Sequence, residues 1–319
     1  MNNLWGKIAI LSVMGCALAY FGCEKAPGQV STLRIATGGT TGTYYAYGLA
    51  LGKIVQEQLG LPVTVVPTAA SVANIALIHK GAAELAFVQN DVMTYAYSGT
   101  NLFAGAGPQK DFAAIAGLYG EACQVIAEEG ITSISALKGK RVSTGENGSG
   151  TMLNAAQIFE VFGMNFADIT EVNLSFGDSA QAFQDGSIDA FFCMAGTPTP
   201  AIAELAARIP LNILPIGDAR TRFLISNYPY YVAQRIPAGT YQGMTDDVMT
   251  VAVRATLIAS TKLSEDDVYD LTKLLFENTT NHAAHPKAAE LSLRSAVSGI
   301  PIPFHKGALR YYREEGILK

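Results

Sequence analysis

From residue 32 onward, short apolar runs alternate with stretches whose apolar residues recur every three or four positions. Thr32–Thr37 is a run of strand-forming residues. In Thr43–Leu59 the residues Tyr44, Tyr47, Leu51, Ile54, Val55 and Leu59 fall at helical spacing. Val63–Val66 predicts a strand, Val72–Lys80 a helix and Leu85–Val88 a further strand. This β-α-β-α-β order is that of a parallel sheet covered by helices. A second unit starts after Gly120. Gln124–Glu128 and Arg141–Thr144 predict strands, and Thr151–Phe162 predicts a helix with Met152, Ala155, Ile158, Phe159 and Phe162 on one face. Val172–Phe176, Ala180–Gln184, Ala190–Cys193, Ala201–Arg208 and Leu211–Pro215 continue the alternation.

No long linker separates the two units. Ala113–Leu118 and Gln124–Ala127 run almost continuously, which predicts strands that pass from one unit to the other, and Val248–Ser260 predicts a second crossing. Ser264–Glu277 predicts a helix with Ser264 as N-cap and Asp266 and Asp267 in its first turn; Lys306–Glu315 predicts a closing helix. If both pack back on the first unit, lobe I comprises residues 32–120 and 250–319, and lobe II residues 121–249. The fold class expected is α/β: two lobes joined by hinge strands, with a ligand cleft between them.

The N-terminus carries a different pattern. Met1–Lys7 holds one positive charge, and Ile8–Tyr20 is an apolar run of thirteen residues. That suits a secretory signal and falls short of the ~20 residues that span a bilayer. Phe21-Gly22-Cys23 and a polar Pro-Gly stretch follow. Residues 1–22 are therefore expected to be a signal peptide and 23–31 a linker, with the folded part in the periplasm. Lipidation at Cys23 and simple cleavage near Ala17-Leu18-Ala19 both remain open. Of four cysteines, only Cys123 and Cys193 lie in the body. Both sit in apolar strand-like runs, which favours two buried thiols, although an oxidising compartment allows a disulfide.

Composition narrows the partners. Charged residues are 15% of the chain and apolar residues 49%, so a disordered or nucleic-acid-coating protein is disfavoured. The net charge of −5 opposes a polyanion partner, and no nucleic-acid partner is expected.

The sharpest chemical feature is Thr37-Gly38-Gly39-Thr40-Thr41-Gly42-Thr43-Tyr44, which ends a strand and opens a helix. Glycines there let the backbone approach a ligand, and the free N–H groups of a helix start favour an anion. The loop lacks the Lys of a phosphate-binding P-loop and does not fit G-x-G-x-x-G, so no nucleotide or other cofactor is expected. The device recurs at Gly145–Thr151, which contains Ser149, Gly150 and Thr151; at Ala69-Ala70-Ser71; and at Gly196-Thr197-Pro198-Thr199-Pro200. Such loops lie outside the carboxyl ends of the strands, where ligands of open α/β sheets bind. The candidate ligand-binding residues are Gly39, Thr40, Thr41, Gly42, Thr43, Tyr44, Ser71, Gln89, Asn90, Ser149, Gly150, Thr151, Gly196 and Thr197. The ligand they suggest is a small organic anion. No Arg or Lys falls in the Gly-rich loops, and Arg141 is nearest. Asp91, Glu146 and Asp178 are unranked candidates for holding an ammonium group.

Gly38–Tyr45, Val66–Asn74, Glu84–Asp91, Gly139–Thr151, Asp189–Pro200, Ile236–Tyr241 and Pro301–Tyr312 resemble, in order, the TAXI-type solute receptors of TRAP (tripartite ATP-independent periplasmic) transporters. That resemblance implies a periplasmic-binding-protein type II-like fold that closes around its ligand. It also implies integral-membrane TRAP permease subunits driven by an ion gradient, and a carboxylate such as glutamate or a C4–C5 dicarboxylate or 2-oxoacid. The alternatives are a receptor for an ABC transporter or a sensor and, from another class, an exported hydrolase. A hydrolase is disfavoured because no G-x-S-x-G or H-E-x-x-H occurs. His282 and His285 are spaced i,i+3 without a third ligand, so no metal site is expected, and His79 is expected to pack on an apolar helix face.

Overall fold

The computed structural model describes residues 32–277 and 285–319. The expected signal peptide and linker, Cys23 and His282 lie outside the described residues. In the first lobe, β1 (Leu33–Ala36) pairs in parallel with β2 (Val63–Val66) and β3 (Leu85–Gln89). The helices α1 (Thr43–Leu59) and α2 (Ser71–His79) make the crossovers. In the second lobe, β5 (Arg141–Ser143) pairs in parallel with β6 (Thr170–Val172) and β7 (Ala190–Ala195). There α4 (Gly150–Val161) and α5 (Phe176–Gln184) are the crossovers. This is the α/β class that the alternating pattern predicts.

Two long strands run through both lobes. β4 (Phe112–Ala127) has 16 residues and β10 (Val248–Ser260) has 13. At ~3.3 Å per residue, β4 is roughly 50 Å long, enough to carry one continuous sheet through both lobes. They pair antiparallel with each other from Ala122↔Ala252 to Phe112↔Ser260. Beyond that overlap β10 pairs with β9 (Val232–Ile236), and β4 with β7 and the short β8 (Ile213–Leu214). The strand order is β2-β1-β3-β10-β4-β7-β5-β6. The β4–β10 register shifts between Arg254 and Thr256 and again between Leu257 and Ile258. The ladder is thus irregular where the two lobes meet.

Strand alternation sends each sheet's side chains to two faces, and each face is buried. In lobe II, Cys123, Val125, Phe192 and Met194 pack with Ile158 and Phe159 of α4, while Ile126, Phe191 and Cys193 pack with Ile202 and Leu205 of α6 (Pro200–Ala206). In lobe I, Leu33, Ile35 and Phe87 pack with α1, with α8 (Glu265–Glu277) through Leu271 and Leu275, and with α9 (Lys306–Glu314) through Tyr311 and Tyr312. Ala36, Ala86 and Val88 face α2 and α3 (Asn90–Ser98). The Tyr312 hydroxyl donates to the Ile115 carbonyl at 2.8 Å, tying the closing helix to β4. Truncating a fully buried ring such as Phe192 costs about 3–5 kcal/mol.

The same alternation settles the cysteines. Cys123 pairs with Met194, and Cys193 with Gln124, so the two thiols point to opposite faces of the sheet. Both are free and buried. His79 departs from expectation. Its side chain is exposed and paired with Asp111: Ile75 and Ile78 are the buried apolar residues of α2, and His79 stands at its last position. His285 stacks near Tyr47, and its Nδ1 accepts the Lys287 N–H at 3.1 Å. Among the described residues no group of His, Cys, Asp or Glu could hold a metal ion, and no helix is long and apolar enough to cross a membrane.

Candidate functional site

The carboxyl ends of β1, β3, β5 and β7 meet around one cleft of about 510 Å³, counted to its mouth. From lobe I come Gly38, Gly39, Gly42, Thr43 and Tyr44 at the start of α1, Ala69, Ala70 and Ser71 at the start of α2, and Gln89 at the end of β3. From lobe II come Glu146, Ser149, Gly150 and Thr151 at the start of α4, with Leu174, Phe176, Met194 and Ala195. Glu121, on the crossing strand β4, also lines it.

The helix starts differ in what they offer. α1 follows Gly42 and α2 follows Ala70, and neither has a side-chain cap. Their first-turn N–H groups supply donors and partial positive charge, which an anion satisfies. α4 is different: the Ser149 hydroxyl accepts the Met152 N–H at 3.1 Å as its cap and keeps its own O–H to donate. Ser71 Oγ accepts the Gln89 N–H at 3.1 Å. Ala70 has φ +68°, unusual for a residue with a Cβ and of order 1–3 kcal/mol in strain. The strain is held by Thr68 and Asn74: Thr68 Oγ1 accepts the Ala70 N–H, and the Asn74 amide donates to the Thr37 and Phe87 carbonyls.

Acceptors face these donors. Tyr44 donates its hydroxyl to Glu121 Oε2 at 2.7 Å, and Glu121 is only 2% exposed. Burial holds the Glu121 carboxyl well above the ordinary range; the Tyr44 bond partly offsets this, and nearby Asp91 adds to it. Glu146 is half-buried and also raised, by burial and by Asp178. Gln89 Oε1 is buried without a hydrogen-bond partner. Among the described residues, no Lys or Arg lines the cleft. Arg141 sits at the far end of β5, paired with Asp189.

The lobes touch across the cleft. Thr43 Oγ1 donates to the Gly196 carbonyl at 3.0 Å, Val72 N–H to Gly148 at 3.2 Å, and Ala201 N–H to Thr41 at 3.2 Å. Beside the cleft, the Asn154 amide donates to Asp91 at 2.8 Å, and Tyr231 donates to Gln157 at 2.7 Å. Asp91 is fully buried, and desolvation lifts its carboxyl to about 6.

Of the residues expected from sequence, Gly39, Gly42, Thr43, Tyr44, Ser71, Gln89, Ser149, Gly150 and Thr151 line the cleft. Thr40 is exposed, Thr41 packs against Gly177 across the lobes, and Asn90 Oδ1 accepts the Arg254 N–H. Gly196 contributes a carbonyl to lobe contact, and neither it nor Thr197 lines the cavity. Glu121 escapes a sequence reading because it lies inside a predicted strand. The available signal was a single acidic residue within the apolar run from Phe112 to Ala127.

Among solved structures, PhnD1 of Prochlorococcus marinus in complex with methylphosphonate is similar over 90% of this chain and 99% of its own, with 11% identity and a TM-score of 0.56. The binding-protein component of an ABC phosphonate transporter from Pseudomonas aeruginosa is similar over 80% of this chain and 78% of its own, with 12% identity and a TM-score of 0.51. These likenesses show the periplasmic-binding-protein type II-like fold. They correct the expected resemblance to TAXI-type TRAP receptors: the solved structures include a component of an ABC-type transporter, and the matching family model is a different one. The permease driven by an ion gradient goes with that resemblance. With the model for the NMT1-like family matched over residues 35–316, the chain belongs to the NMT1-like family.

Proposed function

We propose that this protein is an extracytoplasmic solute receptor that closes its two lobes on one small organic molecule and delivers it to a membrane permease of the ABC type. The observation that carries the reading is the cleft itself. Two uncapped helix starts from one lobe face a third helix start from the other, across one shared cleft. The ABC partner is supported by the structural neighbour described as a component of such a transporter. The apolar run Ile8–Tyr20 supports export.

The cleft also narrows the solute. Helix starts favour one anionic group, whereas Glu121, Glu146 and the unpartnered Gln89 oxygen favour a donor or a cation. A ligand with both, such as an amino acid, satisfies more of these groups than a dianion does. Methylphosphonate, the ligand of the Prochlorococcus neighbour, would bring no ammonium group to Glu121, Glu146 or the Gln89 oxygen. Thermal-shift screening of amino acids, dicarboxylates, 2-oxoacids, alkanesulfonates and methylphosphonate tests the reading. A ligand at 100 times its Kd stabilises the fold by about 2.7 kcal/mol. A shift from an amino acid, larger than from any dianion, is expected. A shift confined to phosphonates or sulfonates would overturn the charge argument, and no shift from any compound would overturn the receptor.

A further inference from the structure

Glu121 is the most deeply buried carboxyl lining the cleft, and among the described residues its side chain is held by a neutral hydroxyl, that of Tyr44. The titratable groups that act on it electrostatically are Tyr44 on α1, Tyr119 on β4 itself, Asp91 on α3 and, from the other face of the sheet, Cys193 on β7, none of them cationic. Lys287, packed behind Gly196, is engaged by Glu290. A carboxylate taken out of water without a counter-charge is costly, and the usual remedy is to keep the proton.

We propose that ligand capture is linked to a proton through Glu121: the carboxyl is neutral in the empty cleft and ionises when a ligand ammonium group takes the counter-ion position beside it. This rests on the reading that the ligand carries an ammonium group. The step is an acid dissociation. The Glu121 O–H bond breaks, the proton leaves to solvent buffer, and the carboxylate pairs with the ammonium, which keeps its own three protons. The direction of the Glu121 shift, set first by desolvation, agrees with a neutral empty state.

Titration calorimetry tests this with L-glutamate and 2-oxoglutarate, which share a carbon skeleton and differ in bearing an ammonium or a keto group. Each is titrated in phosphate and in Tris, whose ionisation heats differ, so the difference counts protons. L-Glutamate is expected to release about one proton, and its affinity to rise up to tenfold per pH unit below the Glu121 titration. 2-Oxoglutarate is expected to release none. Glu121→Gln keeps an acceptor for Tyr44 but cannot ionise; it should bind L-glutamate at least tenfold more weakly and release no proton. Glu146→Gln should still release one. The count on the unaltered protein does not depend on either variant folding. L-Glutamate binding without proton release, or release abolished in Glu146→Gln and kept in Glu121→Gln, overturns the assignment to Glu121 and leaves the receptor intact. Binding of neither compound removes the ligand class and the proton linkage with it.

Discussion

Replacing Gly150 by Ala probes the closed cleft most sharply. Gly150 opens α4 on lobe II, and a Cβ built there would stand 1.7 Å from Gln89 Oε1 and 2.5 Å from Gln89 Cδ, on lobe I. Both distances are far inside van der Waals contact, so the closed state requires Gln89 to move. Gln89 is 3% exposed and its backbone N–H is tied to Ser71, so its carboxamide has little free space to enter. Crowding of a packed site by one methyl costs about 1–3 kcal/mol. Because the two residues meet only across the cleft, that cost falls on closure and therefore on ligand affinity, a loss of roughly 5- to 150-fold at 1.4 kcal/mol per decade. The unliganded melting temperature should change little, since open lobes accommodate the methyl. The assay is calorimetric affinity for L-glutamate, beside unliganded melting. Gln89→Ala removes the clash, so Gly150→Ala should cost much less affinity in a Gln89→Ala background than in the unaltered protein. Equal affinity of Gly150→Ala and the unaltered protein would refute the contact. A Gly150→Ala loss of the same size in both backgrounds would refute the mechanism.

Three further outcomes follow from separate features. Asp91 is buried with its carboxyl raised to about 6, so the stability this group contributes is full below about pH 4 and is lost as the pH rises through 6; Asp91→Asn keeps one acceptor oxygen in place of the two that hold Val92 and Asn154, and its stability relative to the unaltered protein should improve by about 3 kcal/mol between pH 4 and pH 7.5, whereas a pH-independent change would contradict this. Thr43→Val removes the hydroxyl that donates to Gly196 across the lobes and should weaken ligand binding about fivefold, near 1 kcal/mol, with the unliganded melting point unchanged; unaltered affinity would show that this contact does not contribute to closure. Cys123 and Cys193 should react with a thiol reagent only after unfolding, and a peptide map showing a bond between them would contradict their placement on opposite sheet faces.

The parts of the fold legible in the sequence are those where periodicity speaks alone. α1 shows its buried stripe of Tyr44, Tyr47, Leu51, Ile54 and Val55 at regular helical spacing. β4 and β10 show uninterrupted apolar runs because both of their faces are covered. α3 and α7 (Asp218–Asn227) were not legible. Gln89-Asn90-Asp91 has the composition of a turn, yet Asn90 opens a helix because Asn90 Oδ1 holds the Arg254 N–H and Asp91 Oδ1 accepts from Val92. α7 buries only Thr221 and Leu224, too few positions to show a period. In the cleft, glycine- and hydroxyl-rich starts pointed to α1, α2 and α4. Sequence does not tell how the hydroxyls are engaged; Ser149 accepts from its own helix and Ser71 from Gln89. Nor does it tell that Glu121, 77 residues from Tyr44, meets it at the floor of the site.

The central claim is that the space between the α1 and α4 starts holds the solute, and a crystal structure of the protein grown with L-glutamate, or with whichever compound gives the largest thermal shift, tests it most directly. The account predicts ligand density enclosed by both lobes, its anionic group at the first turns of α1 and α2 and its donor group toward Glu121 and Gln89. Density instead in the cavity lined by Tyr97, Lys110, Phe112 and Lys306, on the far side of lobe I, would contradict it.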